Sequence, residues 1–162
     1  MAISDAMNAK LNEQITNEFG ASQAYLAMAC QFDDAGLKNL ARYFRKQTEE
    51  EREHALKILD YLLEAQSKVK LAAVPQPQAE YPTVLAAIEA ALAHEHRVTG
   101  QIHAMVALAD TEKDYATRSF LQWFVDEQVE EISSMAHLVQ VAKLAGPSLL
   151  QLDAAVGHMM AK

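Results

Sequence analysis

The sequence is poor in the residues that interrupt helices. Its 162 residues include only five Gly and four Pro, and 51% of them are hydrophobic. Three of the four prolines, Pro75, Pro77 and Pro82, fall in one short stretch, so the rest of the chain is free to form long helices. Ala, Leu, Glu, Gln and Met, which are good helix formers, are abundant. This composition excludes a disordered chain and a many-turned β fold, and its length predicts one all-α domain, residues 1–162.

Cysteine is also scarce, because Cys30 is the only one. A single cysteine cannot form an internal disulfide framework and is typical of a reducing compartment. The first residues do not show the basic and then apolar order of a signal peptide. No apolar run reaches the roughly 18 residues that would cross a membrane. We therefore expect a cytoplasmic protein without a membrane partner.

Positive charge is in the minority. Lys and Arg total 14 against 22 Asp and Glu, which gives a formal net charge of -8. Recognition of nucleic acid through a basic surface is therefore not expected. The acidic surface has two explanations, ordinary solubility or the concentration of cations near the protein.

Apolar residues recur at helical spacing in four long segments and one short one. Ser4 is placed to cap the first helix, and Gly146-Pro147 is a typical helix stop. The predicted helices span about 4–32, 37–66, 83–109, 115–145 and 148–160.

The lengths of the connections predict how these helices are arranged. Short joins place consecutive helices side by side and antiparallel, but residues 67–82 separate the second helix from the third. An extended segment of that length covers about 50 Å, more than the roughly 42 Å of a 28-residue helix. We therefore predict an antiparallel four-helix bundle with one long crossover between the second and third helices, followed by a short C-terminal fifth helix.

The core-facing positions of the four long helices are apolar at both ends and polar in the middle. In the third helix we assign them to Leu85, Ile88, Leu92, Glu95, Thr99, Ile102 and Val106. Each long helix carries one glutamate about halfway along its core-facing side: Glu18, Glu51, Glu95 and Glu131. His54 follows Glu51 by three residues and Gln128 precedes Glu131 by three, so both share those faces. In a bundle, all six side chains should meet in one layer.

Four buried carboxylates need compensation. Each loses several kcal/mol of hydration on burial, they repel one another, and no Lys or Arg shares the core-facing positions. Two divalent cations would balance them, and oxygen ligands with one imidazole suit iron or manganese. Symmetric helical di-metal sites carry Glu-x-x-His on two helices. This chain has only Glu51-x-x-His54, so we predict an asymmetric site, with Glu51 bridging two metals.

Other residues near this layer have two interpretations each. The acids Glu49, Glu50, Glu53, Glu127 and Glu130 either form a solvated face or, through Glu50, Glu127 and Glu130 beside Glu131, provide an adjacent iron position. Tyr25, seven residues after Glu18, is either an electron or hydrogen-bond donor to the metals or an ordinary core tyrosine.

The remaining histidines and sulfur residues receive simpler predictions. His94 and His96 flank Glu95 and are expected at the surface, because an inward Glu95 directs both away from the core. His103 and His137 flank the core-facing positions and remain without an assigned role. Met28, Met105 and Met135 are predicted core residues, and Trp123 is expected to pack between helices or subunits.

Three segments together resemble the bacterial non-haem ferritins: Leu11-Asn12-Glu13-Gln14 with Glu18 and Tyr25, Glu49 to Ala55, and Phe120 to Gln128. The resemblance covers nearly the whole chain and implies a ferritin-like fold. It implies iron ligands at Glu18, Glu51, His54, Glu95 and Gln128, a third-iron site of Glu50, Glu127, Glu130 and Glu131, and Tyr25 beside the centre. The bacterioferritins differ, because Arg52 replaces their haem-binding Met and Glu130 replaces their second His, so no haem is expected.

The resemblance also implies an activity and an assembly. It implies ferroxidase activity at the di-iron site, with Fe(II) and O2 or H2O2 as partners and Glu51 and Tyr25 as catalytic residues. It further implies a shell of 24 subunits that stores ferric mineral, with the fifth helix packed around four-fold axes. From the residues alone, that helix could bury its apolar stripe on its own bundle or on neighbours.

Two other functions are compatible with the same layer of acids. One is a different di-metal enzyme, such as a peroxidase or a manganese catalase, which would need substrate access and a second His ligand. The other is a cage or binding protein without catalysis, although intact polar residues on all four helices favour an active site.

Overall fold

The described part of the chain folds into five helices joined by one long connection and three short ones. The computed structural model describes residues 3–162, and no strand occurs within that range. The helices are α1 (Asp5–Asp34), α2 (Lys38–Glu64), α3 (Val84–Glu112), α4 (Tyr115–Ala145) and α5 (Leu149–Met160). No helix in this part of the chain has an apolar stretch long enough to span a bilayer.

Local signals in the sequence set most helix ends. The Ser4 side chain accepts a hydrogen bond from the backbone N–H of Met7 at 3.0 Å, which is the predicted cap of α1. Thr83 and Asp114 cap α3 and α4 in the same way. Gly146 ends α4 with φ of 57°, a left-handed value that favours glycine. These caps satisfy backbone groups that the helices leave unpaired.

The connection between α2 and α3 runs along α1, as the predicted crossover requires. Near the start of α1, Asn12 Nδ2 donates to the carbonyl of Lys68 at 2.9 Å and Asn12 Oδ1 accepts from the N–H of Lys70 at 2.6 Å. Near its end, Gln31 exchanges two hydrogen bonds with the backbone of Tyr81, at 2.9 and 3.0 Å. The crossover therefore passes from one end of the bundle to the other, and α2 and α3 run parallel.

Two apolar clusters fill the two ends of the bundle. The first cluster gathers the start of α1 with the ends of α2 and α3 and the start of α4; its members include Leu11, Ile58, Ile102 and Leu121. The second cluster gathers the opposite helix ends together with α5; its members include Phe32, Phe44, Ile88, Leu138 and Leu152. Most of these side chains are fully buried. The polar middle of each helix lies between the clusters.

The fifth helix packs on its own bundle. Leu152 and Val156 are buried in the second cluster. The Asp153 carboxylate accepts from the backbone N–H of Leu40 at 2.9 Å and thereby caps α2, whose own N-cap residue makes no side-chain bond. Leu149 and Leu150 remain exposed in the single chain, at 42% and 82%.

The predicted core face of α3 is only partly correct. Ile88, Glu95 and Ile102 are buried, but Leu85, Leu92, Thr99 and Val106 are only partly buried. The remaining fully buried positions of α3 are Ala87, Ala91, Val98, Met105 and Ala109. One side of the buried face of α3 is thus shifted by one residue from the predicted positions. Small side chains make the close contacts with the neighbouring helices, and the larger leucines pack at the edge of the contact.

Candidate metal centre

The polar residues predicted at mid-height of the bundle form one buried layer. Each of the four long helices contributes to it, and every member is at most 5% exposed: Glu18, Glu51, His54, Glu95, Gln128 and Glu131. Residues of the two apolar clusters lie on either side along each helix. We call these six residues the polar layer.

His54 belongs to two groups of possible metal ligands. One potential ligand atom from each of Glu18, Glu51 and His54 lies within 4.8 Å of the others, and a second such group joins His54 to Glu127 and Glu131. The imidazole Nδ1 is 3.5 Å from Glu51 Oε2, while Nε2 is 3.8 Å from Glu127 Oε1. The two ring nitrogens therefore face different groups of carboxylates.

Glu95 and Gln128 form a third part of the layer. The Tyr25 hydroxyl donates a hydrogen bond to Glu95 Oε1. Gln128 Nε2 lies 3.2 Å from Glu95 Oε2 and 3.2 Å from Thr99 Oγ1. Both oxygens of Glu95 are therefore engaged by neutral donors, and Glu95 belongs to neither of the two His54 groups.

Burial strongly affects the acid groups of the layer. Loss of hydration, reinforced by the neighbouring Glu51, raises the pKa of Glu18 well above its ordinary value. Burial likewise raises the pKa of Glu51, and it raises the pKa of Glu131 to about 8, with Glu95 and Glu50 contributing. The phenol pKa of Tyr25 is raised by burial and then by Glu95. Without a cation, burial therefore favours the protonated form of the Glu18, Glu51 and Glu131 carboxyl groups.

Apart from the His54 imidazole, these acids have no basic partner in the part of the chain that the structure describes. Over residues 3–162, no Lys or Arg nitrogen lies within 4.0 Å of a carboxylate of the polar layer. The ammonium of Lys46 instead pairs with Glu50, outside the layer, at 3.4 Å. Glu18 Oε2 is buried without any hydrogen-bond partner. A divalent cation would supply the missing positive charge and would use that oxygen.

The flanking acids border a cavity of ≈ 410 Å³ between α2, α4 and the end of α5. Its lining includes Glu50, Glu127, Glu130 and Glu131, together with Lys46 and Lys162. Glu50 and Glu127 are partly buried and Glu130 is exposed, whereas Glu49 and Glu53 lie on the exposed surface. The four acids predicted for a third metal position therefore line one cavity.

One histidine prediction is wrong. His94 was expected at the surface but packs edge-on against the Tyr25 ring, with 5.7 Å between ring centroids. Burial lowers its pKa, and its Nε2 has no hydrogen-bond partner. The cause is the displaced contact face of α3, which brings position 94 inward beside Glu95. His96, His103, His137 and His158 are exposed, and His137 lines the acidic cavity.

Three buried methionines and one tryptophan also have defined places. Met28, Met105 and Met135 are core residues, as predicted. Trp123 is 39% exposed, and the centroid of its ring lies 5.5 Å from that of the His54 ring. The ammonium of Lys57 lies 4.3 Å from the centroid of the Trp123 ring. Trp123 therefore forms an outer wall beside His54.

Two amides next to the acids were not assigned a role from the sequence. Gln14 is buried, and its Nε2 donates to Glu18 Oε1 at 2.7 Å. Gln47 is also buried and donates to Glu50 Oε2. The available signal was the spacing, because Gln14 precedes Glu18 by four residues and Gln47 precedes Glu50 by three, so each pair shares a helix face.

Comparisons with known proteins agree with this architecture. The family described as "Ferritin-like domain" matches residues 8–145. The chain is 39% identical to ferritin BfrB of Mycobacterium tuberculosis over 146 residues, 90% of this chain and 81% of the relative. It is 44% identical to a bacterial non-heme ferritin of Staphylococcus saprophyticus over 121 residues, 75% and 72% of the two chains. The solved structure of an open-pore ferritin from Archaeoglobus fulgidus superimposes with a TM-score of 0.93 at 43% identity, covering 96% of both chains.

Proposed function

Because this chain belongs to the ferritin family, we propose that it stores iron and oxidises Fe(II) at the polar layer. The observation that carries the proposal is the burial of one glutamate from each of the four long helices, together with one imidazole, without a Lys or Arg partner among residues 3–162. Such an arrangement is tolerable when divalent cations supply the balancing charge.

In this proposal Fe(II), the substrate, binds at two adjacent positions. Glu18, Glu51 and His54 would hold the first ion, since their ligand atoms already converge. Glu95, Gln128 and Glu131 would hold the second, and Glu51 would bridge the two. Placing both ions within reach of one oxidant lets each lose one electron to O2 or H2O2.

The protein residues contribute charge and proton transfer. Anionic carboxylates stabilise Fe(III) more than Fe(II), which favours oxidation energetically. Glu18, Glu51 and Glu131, whose pKa values burial raises, would release protons as iron binds. Tyr25, which donates to Glu95, is placed to orient that ligand or to supply an electron.

Oxidised iron would leave through the acidic cavity. Glu50, Glu127, Glu130 and Glu131 would form a third iron position there, one step from the first two. By family resemblance, we expect the chain to assemble into a 24-subunit shell whose interior collects ferric mineral. Haem is not expected, because Arg52 occupies the position of the haem-binding Met of bacterioferritins.

The test is aerobic addition of Fe(II) to the iron-free protein, followed by the absorbance of the ferric product. Glu51→Ala and His54→Ala should lower the initial rate to that of Fe(II) in buffer while circular dichroism and assembly size stay unchanged. Glu49→Ala provides the matched control, since Glu49 lies exposed on the same helix and its variant should keep the parental rate. Parental rates in both Glu51→Ala and His54→Ala would refute the assignment.

A further inference from the structure

Gln14 is a buried amide whose main partner is a carboxylate of the polar layer. Its side chain is 2% exposed, and its Nε2 donates to Glu18 Oε1 at 2.7 Å. On the other side of the amide, Gln14 Oε1 accepts from Asn17 Nδ2 at 3.4 Å. These contacts orient the amide, because only its nitrogen can donate to a carboxylate and only its oxygen can accept from Asn17.

The hydrogen bond makes the two oxygens of Glu18 unequal. Oε1 is held by Gln14, whereas Oε2 is buried without a hydrogen-bond partner. Glu18 also has a ligand atom within 4.8 Å of atoms of Glu51 and His54. Glu18 is thus held at one carboxylate oxygen by the Gln14 amide, and its other oxygen is available to bind a cation.

Gln14 also separates Glu18 from the outside of the α1/α3 face. A cavity of ≈ 440 Å³ on that face is lined by Gln14 and Asn17 of α1 and by Arg97 and Gly100 of α3. A Cβ added at Gly100 would meet nothing within 4 Å, so the space there is open. Loss of the Gln14 side chain would let water from this cavity reach Glu18.

We propose that Gln14 is a positioning residue that holds Glu18 with Oε2 directed to the first metal position. The inference rests on the proposed function, since it requires Glu18, Glu51 and His54 to bind a divalent cation. Partners that orient metal ligands commonly affect affinity by about 10- to 100-fold. Binding of a cation requires Glu18 to be ionised, and the Gln14 bond then joins an amide to a charged acceptor, which is the stronger class of hydrogen bond.

The test uses Co(II) binding without oxygen, because Co(II) absorption reports both affinity and coordination. Gln14→Met keeps the length of the side chain but removes the donor. We expect one of two Co(II) ions per subunit to bind about 10- to 100-fold more weakly, with altered visible bands, and the other to bind as in the parent. In aerobic oxidation assays of Gln14→Met, the Fe(II) concentration that gives half the limiting rate should rise. The fold-increase in that concentration should exceed the fold-decrease in the limiting rate.

Two further variants make the result interpretable. Gln31→Met removes a comparable amide that binds the backbone of Tyr81 far from the polar layer, and it should leave Co(II) binding unchanged. Gln14→Ala removes the same donor without filling the site with another long side chain, so it should show the same weakening if loss of the donor, and not disturbed packing by the methionine, is the cause.

The possible failures are distinct. Parental Co(II) affinity and spectrum in both Gln14 variants, while Glu18→Ala loses one Co(II), would overturn the role of Gln14 and leave the proposed function standing. Failure of the parent to bind Co(II), or no effect of Glu18→Ala, would overturn the proposed function and the Gln14 inference together.

Discussion

The polar layer and the two apolar clusters are built on the same four helices and are equally buried, yet their energies are opposite. Burying a large apolar side chain such as Phe32 stabilises the fold by about 1.5–3 kcal/mol. Burying an uncompensated carboxylate such as Glu18 or Glu51 costs several kcal/mol. The clusters at the ends therefore stabilise a bundle whose centre is unfavourable until a cation binds. Burial alone therefore does not identify a residue that stabilises the fold.

The largest expected effect comes from the apolar side of the comparison. Phe32 is fully buried in the second cluster, with its ring 5.1 Å from that of Phe44. Phe32→Ala should lower the free energy of unfolding by about 3–5 kcal/mol, because it removes apolar contact and leaves a cavity. Urea unfolding of the metal-free protein measures this, and Glu49→Ala should change stability by less than about 0.5 kcal/mol. Equal stability of Phe32→Ala and the parent would break the contrast.

A substitution in the polar layer should instead raise the stability of the metal-free protein, by less than Phe32→Ala lowers it. Folded Glu131 keeps its proton until about pH 8, whereas a carboxyl with the ordinary pKa of 4.5 loses it earlier. Between these values the folded state holds more protons, so the stability of the metal-free protein should fall as pH rises. Glu131→Gln removes this titration. It should be more stable than the parent at pH 8, on the order of a few kcal/mol, and closer to the parent near pH 5.

Urea midpoints at the two pH values, measured with a chelator present, test this prediction. A divalent cation should reverse the order, because it stabilises the parent carboxylate by binding it. A Glu131→Gln variant that is less stable than the metal-free parent at pH 8 would show that the layer does not oppose folding.

Tyr25 belongs to the second cluster and contacts the polar layer. Its ring packs edge-on against Phe44 of the second cluster, with 5.7 Å between centroids, while its hydroxyl donates to Glu95. Tyr25→Phe keeps the ring and should cost only about 1 kcal/mol of stability, the typical value of one hydrogen bond. We expect Co(II) still to bind and Fe(II) oxidation to slow several-fold. An unchanged oxidation rate would make Tyr25 an ordinary core tyrosine.

Much of the fold and the composition of the layer could be predicted from the sequence. Glu18, Glu51, Glu95 and Glu131 were recognisable because each interrupts an apolar face about halfway along its helix. The length of the proline-rich crossover predicted that the second and third helices run parallel. His94 was misplaced and Gln14 had no assigned role. Periodicity defines a helix face only to within about one residue, or about 100° of rotation, and neighbouring helices decide the remainder.

The order of amino acids by itself determined where helices form, where they stop and which mid-helix positions are acidic, since these depend on local spacing, caps and breakers. Only the tertiary structure decided which carboxylate oxygens are occupied by donors from other helices, as both oxygens of Glu95 are by Tyr25 and Gln128. It also decided that Asp153 of α5 caps α2. Hydrogen bonds depend on distances of about 3 Å between atoms, and helix packing sets such distances between residues far apart in the chain.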